Sequence, residues 1–220
     1  MLSPNYIDCE QRSKEWFDAR LGCATSSRIA HIVAKRKRGT EELACRVNLR
    51  WELVGELLTG KPTEHYVSRW MNEGKEKEPL ARTEYEIRND VAVETIGFCY
   101  HPAIKYAGAS PDGLVGERGL VEFKCPTLQT HLEYLANDVI PDDYIPQLIW
   151  QLACDPDREW VDFVSFHPDM PDEYKIFQKM MHRTSEVDAL IAAYNLEVEQ
   201  FNSEVQAVLK TIKDKRLVAA

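Results

Sequence analysis

The sequence lacks the features that would place it in a membrane, in a secretory pathway or around a zinc ion. It has no run of about 18 apolar residues, as a membrane-spanning helix requires, and residues 1–5 show no signal-peptide pattern. Its six cysteines are scattered through 220 residues without a Cys-x-x-Cys pair, which argues against zinc and iron–sulfur sites. We therefore expect reduced thiols, a cytoplasmic location and no membrane partner.

Positive charge is in the minority, yet it is unevenly distributed. The net charge of −9 opposes binding to nucleic acid, because a duplex repels an acidic body. Between residues 28 and 50, however, seven Lys or Arg residues occur with only two Glu residues, and this segment includes Lys37. An acidic protein with a basic lining would confine DNA to that lining. A solvated loop after a helix explains the basic run equally well.

Composition and element order predict one α/β domain. The hydrophobic fraction of 44% and the charged fraction of 29% are those of an ordinary globular protein, and no linker divides residues 1–220. Helices precede a series of strands that alternate with helices, which predicts a mixed central sheet flanked by helices. The chain then divides into N-terminal helices (1–60), a core with the sheet (68–182) and a long C-terminal amphipathic helix (184–213).

Local signals predict the individual elements. Ser13 can cap a helix that ends at Gly22, and Thr25 or Ser26 can cap a second helix to about residue 34. Further helices are predicted at 41–58, 68–88 and 145–154, with a kink or restart at Pro79. Strands are predicted at 98–106, 114–115, 119–125, 160–167 and 174–181.

The most informative segment combines a tight turn with a strand. Asp112 lies in a Pro-Asp-Gly turn, and Glu122 and Lys124 follow on an apolar strand, two residues apart. Side chains of a strand alternate between its faces, so Glu122 and Lys124 point the same way. Two carboxylates beside one ammonium group suit a hard cation such as Mg2+ and a phosphate ester under attack by water. The backbone carbonyl of Phe123 is a candidate further ligand.

A surface ion pair between Glu122 and Lys124, worth about 0.2–1 kcal/mol, is a simpler explanation of the spacing. The strand opposes it, since Leu120, Val121 and Phe123 make the segment apolar enough to be interior. Charges in such a place need a compensating partner, which favours a metal site. Lys124 would orient the attacking water or offset the negative charge that develops on the phosphate. These residues alone predict a metal-dependent phosphodiesterase.

Five motifs in register resemble the YqaJ family of viral recombinases, to which bacteriophage lambda exonuclease belongs. They fall within residues 11–167 and are Arg20-Leu21-Gly22-x-x-Thr25-x-Ser27, Gly74-x-x-x-Glu78-Pro79, Ser110-Pro111-Asp112-Gly113-Leu114, Glu122-Phe123-Lys124-Cys125-Pro126 and Tyr144-x-x-Gln147-x-x-x-Gln151. The resemblance implies a restriction-endonuclease-like core and a processive 5'→3' exonuclease that acts on double-stranded DNA ends. It implies Mg2+ as cofactor, with Mn2+ as the expected substitute, a ring-shaped homotrimer, and a single-strand-annealing protein as partner.

The resemblance also implies roles for the residues around the turn and strand. Asp112 and Glu122 correspond to the metal ligands, with the Phe123 carbonyl, and Lys124 corresponds to the catalytic lysine. Glu78 resembles a helix-borne acid that completes the metal site. A glutamate that precedes a proline near a helix start explains Glu78 about as well.

A second group of residues is expected to border the active site on a helix. Tyr144 and Gln147 match the family at these positions, and Gln147 shares one helix face with Gln151 because the two are four residues apart. A buried polar cap is the alternative interpretation of the two glutamines.

A third group is expected to bind the DNA. Arg20, Ser27 and Ser110 resemble the pocket for the 5'-terminal phosphate, which a guanidinium and hydroxyls at a helix start can bind. Simple helix capping is the alternative for Ser27. Lys37 matches a basic residue that contacts DNA.

Together, the residues and the resemblance predict a Mg2+-dependent 5'→3' exonuclease that leaves 3' single-stranded tails for recombination by annealing. Two alternatives stay open. One is an endonuclease on the same core, and the other is a catalytically inactive DNA-binding recombination protein. The stretch from about residue 168 does not match the family closely, and no strand-separating residue is identifiable.

Overall fold

The computed structural model describes residues 5–35, 42–63 and 69–217, which form nine strands and seven α-helices. The strands are β1 (Tyr6–Ile7), β2 (Ala24–Thr25), β3 (Val93–Glu94), β4 (Phe98–Tyr100), β5 (Ala107–Ala109), β6 (Gly113–Val115), β7 (Gly119–Lys124), β8 (Trp160–Phe166) and β9 (Ile176–His182). The helices are α1 (Lys14–Arg20), α2 (Ile29–Val33), α3 (Ala44–Thr59), α4 (Arg69–Asn89), α5 (Leu128–Asn137), α6 (Ile145–Cys154) and α7 (Ser185–Leu217). No helix in these ranges is long and apolar enough to cross a membrane.

The strands form two mixed sheets. A four-stranded sheet has the order β1-β4-β5-β2, and a five-stranded sheet has the order β3-β6-β7-β8-β9. In the larger sheet, β7 and β8 are parallel neighbours, while the pairs on either side of them are antiparallel. The predicted mixed sheet flanked by helices is confirmed, with its strands divided between two sheets.

The two faces of β7 pack against different helices. Leu120 belongs to the larger apolar core, which also contains the buried side chains of α6 and α7. Val121 and Phe123 belong to a smaller core on the other face, with Ala81 and Tyr85 of α4. Because side chains alternate along the strand, Glu122 lies on the α6 side of the sheet. The predicted distribution of these side chains between the two faces of the strand is confirmed.

The long C-terminal helix packs on its own chain. Ile191, Val198, Phe201 and Val205 of α7 are buried in the larger core, with the apolar spacing that predicted the helix. Arg46 and Arg50 of α3 form ion pairs with Glu204 of α7. All six cysteines of the chain are free thiols, as their spacing predicted.

Several elements differ from the predictions. Of the predicted strand 98–106, only Phe98–Tyr100 (β4) is a strand. Pro102, which cannot donate a ladder hydrogen bond, and Tyr106, with a positive φ of 56°, lie in the turn that leads to β5. α4 continues through Pro79, because Ala81 and Tyr85 are fully buried against the sheet. The N-terminal segment contains the short strands β1 and β2 as well as helices. Neither Thr25 nor Ser26 caps a helix with its side chain; a 3-10 turn leads into the five-residue α2.

Candidate active site

The turn before β6 holds Asp112 against β7 through the main chain. The Asp112 amide donates to the Val121 carbonyl at 3.1 Å, and the Asp112 carboxylate accepts from the Phe123 amide at 2.7 Å. The Asp112 carbonyl accepts from the Arg82 guanidinium at 2.7 Å. Asp112 is thus fixed beside the strand that carries Glu122 and Lys124.

Glu122 is only 3% exposed, and both of its carboxylate oxygens accept hydrogen bonds. Oε1 accepts from the Lys124 ammonium and from Gln147 Nε2, the latter at 2.5 Å. Oε2 accepts from Gln151 Nε2 at 2.5 Å. Gln147 and Gln151 lie one turn apart on α6, so this helix presents two amides to one buried carboxylate.

The electrostatics of the cluster show an excess of negative charge. Burial, and after it the charge of Glu122, raises the pKa of Asp112 well above its ordinary value, with a smaller contribution in the same direction from Glu78. Burial alone would lower the pKa of Lys124, but Glu122 and Asp112 outweigh it and raise that pKa. Lys124, and Arg12 through its ion pair with Glu78, offset only part of the negative charge of the three acids, and a bound cation would offset more of it.

The donor set suits a hard divalent cation. Within the described ranges, no three His, Cys, Asp or Glu side chains are close enough to form a metal cage by themselves. The carboxylates of Asp112 and Glu122 and the Phe123 carbonyl offer oxygen atoms only. Mg2+ prefers oxygen ligands, and it is usually held by one or two carboxylates together with water and substrate oxygens.

Two further predicted residues lie at this cluster. The Lys124 ammonium lies 5.1 Å from the centroid of the Tyr144 ring, at the start of α6. Glu78 of α4 is close enough to contribute to the raised pKa of Asp112, and it forms an ion pair of 2.9 Å with Arg12. The structure therefore brings Glu78, Lys124 and Tyr144 together around the two carboxylates.

Two of the residues predicted to bind the 5'-phosphate line a cavity in the N-terminal segment. Arg20 and Ser27 line a cavity of about 580 Å³ with Trp16, Thr25 and other residues of the N-terminal segment. The Arg20 guanidinium donates to the Ser110 hydroxyl at 3.0 Å. The Ser27 and Thr25 hydroxyls are 3.4 Å apart. Burial lowers the pKa of Arg20 to about 10, so Arg20 stays charged at neutral pH. An anion bound beside it would stabilise this buried positive charge.

Two residues that contact the site, Trp16 and Arg82, were not predicted, and one predicted residue lies outside the described part of the chain. Lys37, the predicted DNA contact, lies outside the described residues. Gln151, which the sequence places in one motif and on one helix face with Gln147, donates to Glu122 and is part of the site. Trp16 and Arg82 each lie four residues from a predicted site residue on the same helix, Arg20 and Glu78, and that spacing was the available signal.

Comparison with known proteins identifies a family and solved structures with the same fold. Residues 15–156 match the YqaJ-like viral recombinase domain. The alkaline exonuclease LHK-Exo from Laribacter hongkongensis is 39% identical, with a TM-score of 0.85 over 94% of this chain and 100% of that chain. Its complex with dAMP gives a TM-score of 0.86 at the same identity and coverage. A phage-related exonuclease from Haemophilus somnus 129PT, 13% identical, shares the fold with a TM-score of 0.61 over 85% of this chain and 96% of that chain. No curated protein sequence matches the chain.

The mixed sheets flanked by helices, together with the cluster of carboxylates and lysine, define a nuclease with a restriction-endonuclease-like core. The matched segment spans more than half of the chain. The chain belongs to the YqaJ-like viral recombinase domain family. The resemblance that the five motifs indicated is confirmed.

Proposed function

We propose that this nuclease is a Mg2+-dependent, processive 5'→3' exonuclease. It degrades one strand of double-stranded DNA from the ends and leaves 3' single-stranded tails for recombination by strand annealing. The observation that carries the proposal is the position of Ser110, which accepts a hydrogen bond from Arg20 and lies two residues before Asp112. The cavity that Arg20 lines is thereby connected to the carboxylate cluster through a short piece of chain. An enzyme built in this way would set its cleavage point from the terminal phosphate.

Asp112, Glu122 and the Phe123 carbonyl would hold the cation, and Glu78 would add charge to the same site. When bound, Mg2+ supplies an activated water and neutralises the phosphate under attack. Mn2+ is expected to substitute, because it accepts the same oxygen ligands.

The side chains of the protein account for the remaining requirements of the reaction. Lys124, charged because its pKa is raised, stabilises the negative charge that develops on the phosphate. The Tyr144 ring lies against the Lys124 ammonium and limits its freedom to move. Gln147 and Gln151 fix the orientation of Glu122 from the helix side.

The cavity near Arg20 accounts for the polarity in this proposal. A guanidinium can grip a terminal phosphate with two hydrogen bonds, and the Thr25, Ser27 and Ser110 hydroxyls can add further donors. A strand that enters with its 5'-phosphate in the cavity has its first phosphodiester directed toward Asp112 and Glu122. The complex of LHK-Exo with dAMP supports a nucleoside monophosphate as the product.

Family membership supports the partners that we propose. They are double-stranded DNA ends, two further copies of the chain in a ring-shaped trimer, and a single-strand-annealing protein. Such a protein would work in the cytoplasm of a bacterial cell or of an infected host.

The experiment that tests the proposal is a time course on linear duplex DNA with one 5' end phosphorylated and the other blocked. With Mg2+, we expect mononucleotides from the phosphorylated strand only, and no cleavage in EDTA. A covalently closed circle should stay intact. Cleavage of the circle would instead indicate an endonuclease, and the absence of cleavage on every substrate would indicate a DNA-binding protein without activity.

Two substitutions connect that activity to the site. Asp112→Ala and Lys124→Ala are each expected to abolish cleavage while binding to duplex ends persists, because both remove charge from the reaction centre rather than from the phosphate cavity. Binding is measured by fluorescence anisotropy in Ca2+. Retained turnover in either variant would refute the assignment of the site.

A further inference from the structure

Arg82 connects the helix that carries Glu78 to the turn that carries Asp112. It lies four residues after Glu78 on α4, so the two side chains share one face of the helix. Its Nη2 atom donates to the Asp112 carbonyl at 2.7 Å, and its Nη1 atom makes a long contact of 3.5 Å with the Val93 carbonyl of β3. One guanidinium therefore bridges α4, the catalytic turn and the edge strand of the larger sheet.

The helix on which Arg82 lies is itself firmly attached to the sheet. Tyr85, almost one turn further on, is 1% exposed, and its hydroxyl donates to Asp162 Oδ2 on β8 at 2.7 Å. Gln178 of β9 donates to the same Asp162 oxygen at 2.8 Å. Because Tyr85 anchors α4 to an interior strand of the sheet, the helix backbone that carries Arg82 is fixed relative to that sheet.

The catalytic turn needs such a restraint. Asp112 lies in the connection between β5 and β6, and the distance of its carboxylate from Glu78 depends on how this connection is held against α4. On the strand side, the Asp112 amide and carboxylate form hydrogen bonds with Val121 and Phe123 of β7. On the helix side, Arg82 holds the carbonyl of the same residue.

We propose that Arg82 is a positioning residue that keeps the carboxylates of Asp112 and Glu78 at the spacing needed to hold a divalent cation. The inference rests on the proposed function, since it assigns Arg82 to the same metal site. Arg82 itself contacts neither cation nor DNA in this role, and it acts through the Asp112 main chain. Groups that orient metal ligands in this way typically contribute about 10–100-fold to metal affinity or activity.

The test compares Arg82→Met and Arg82→Lys with a control on the same helix. Arg88→Met is the matched control, because Arg88 also donates to a main-chain carbonyl, that of Asp172, but lies two turns away from the site. Affinity for Mn2+ is measured by titration calorimetry without DNA, and kcat and KM are measured on duplex ends over a range of Mg2+ concentrations. We expect Arg82→Met to weaken Mn2+ binding about 10–100-fold and to lower kcat with KM for DNA nearly unchanged. Arg82→Lys should fall between wild type and Arg82→Met, and Arg88→Met should match wild type.

The outcomes separate this inference from the proposed function. If wild type binds Mn2+ and cleaves DNA while Arg82→Met keeps its Mn2+ affinity and its Mg2+ requirement, Arg82 is only a structural residue and the inference is wrong. If wild type binds no Mn2+ and cleaves nothing, the proposed function and the inference fall together. Should Arg82→Met not fold, Arg82→Lys decides, and an unchanged Mn2+ affinity in that variant overturns the inference.

Discussion

The indole ring of Trp16 lies against the guanidinium of Arg20, with 4.1 Å between the guanidinium carbon and the ring centroid. The two residues are one turn apart on α1, and both donate to the Ser110 hydroxyl, at 2.9 Å from Trp16 and 3.0 Å from Arg20. A tryptophan face attracts a cation and leaves the edges of the guanidinium free for other partners. Trp16 therefore orients the residue that we propose as the ligand of the 5'-phosphate.

Trp16→Leu is expected to lower kcat/KM on 5'-phosphorylated ends by about 2- to 30-fold, because a cation–π contact contributes about 0.5–2 kcal/mol. Activity on 5'-hydroxyl ends should change much less, since those ends offer the Arg20 guanidinium no phosphate. Arg20→Ala should show the same selectivity with a larger loss. Trp51→Leu, which replaces an exposed tryptophan of α3, serves as the control. An equal loss on both kinds of end would remove Trp16 and Arg20 from phosphate recognition.

The two glutamines of α6 are expected to differ in their contributions to stability and to catalysis. Gln151 is buried and is the donor to Glu122 Oε2, so Gln151→Leu leaves a buried carboxylate oxygen unpaired. The substitution should lower the free energy of unfolding by about 1–2 kcal/mol. This is toward the lower part of the usual range, because it also removes Gln151 Oε1, a buried oxygen without a hydrogen-bond partner within the described residues.

Gln147→Leu should cost less stability, since Gln147 is partly exposed and Glu122 Oε1 keeps its contact with Lys124. Gln147→Leu should instead act mainly on catalysis and lower kcat on the order of 10-fold or more. Urea unfolding and steady-state kinetics of both variants test this division. Equal effects of the two substitutions on stability would contradict it.

The strand β7 shows how much of the site could be predicted from the sequence alone. Glu122 and Lys124 alternate with apolar residues, so a strand with both charges on one face was predictable, and the structure has it. The N-cap at Ser13 and the glycine at position 22, with a φ of 67°, were equally predictable, because both depend on local backbone chemistry. Local signals therefore located most of the elements that carry the site.

Contacts between distant segments were not predictable in the same way. Arg82 and Asp112 are 30 residues apart, and nothing in either segment indicates that one binds the carbonyl of the other. α5 was not predicted although its signals are local, since Thr127 caps it and Leu128, Leu132 and Leu135 have the spacing of one helix face. The two-residue strands β1 and β2 are too short to show any alternation.

Asp112→Asn is expected to stabilise the protein when divalent ions are removed. Burial and Glu122 raise the pKa of Asp112 in the folded state. The free energy of unfolding therefore falls as the pH rises above the ordinary pKa of an aspartate, because the folded state ionises this carboxyl less readily than the unfolded state. The asparagine avoids that cost, and its side-chain oxygen can still accept from the Phe123 amide. In EDTA near neutral pH, Tm should rise by about 2–4 °C for each kcal/mol relieved.

Mg2+ should narrow this difference in Tm, because the cation stabilises only the protein whose carboxylates bind it. Calorimetry of both proteins, in EDTA and in Mg2+, checks the expectation. The gap between the two melting temperatures should also shrink as the pH is lowered toward the ordinary pKa of an aspartate. A gap that is independent of both pH and Mg2+ would show that charge repulsion at Asp112 is not its cause.

Two arginine–carboxylate pairs differ in burial, and they should differ in their contribution to stability. Arg158 and Asp155 are both buried, Asp155 also accepts from the Tyr6 hydroxyl, and Arg158 donates to the Gly116 carbonyl. This group joins β1 to the end of α6. Arg158→Met removes the only cation that pairs with Asp155 within the described residues, and loss of a buried partner costs about 3–5 kcal/mol.

Arg118→Met is the matched control, because Arg118 and its partner Glu159 are 67% and 55% exposed in their side chains. An exposed pair contributes only about 0.2–1 kcal/mol. Urea unfolding at matched pH should therefore give a much lower midpoint for Arg158→Met and a midpoint close to wild type for Arg118→Met. If the two variants unfold at similar urea concentrations, water must screen the Asp155 pair in solution, and the junction between β1 and α6 would then depend on apolar packing instead.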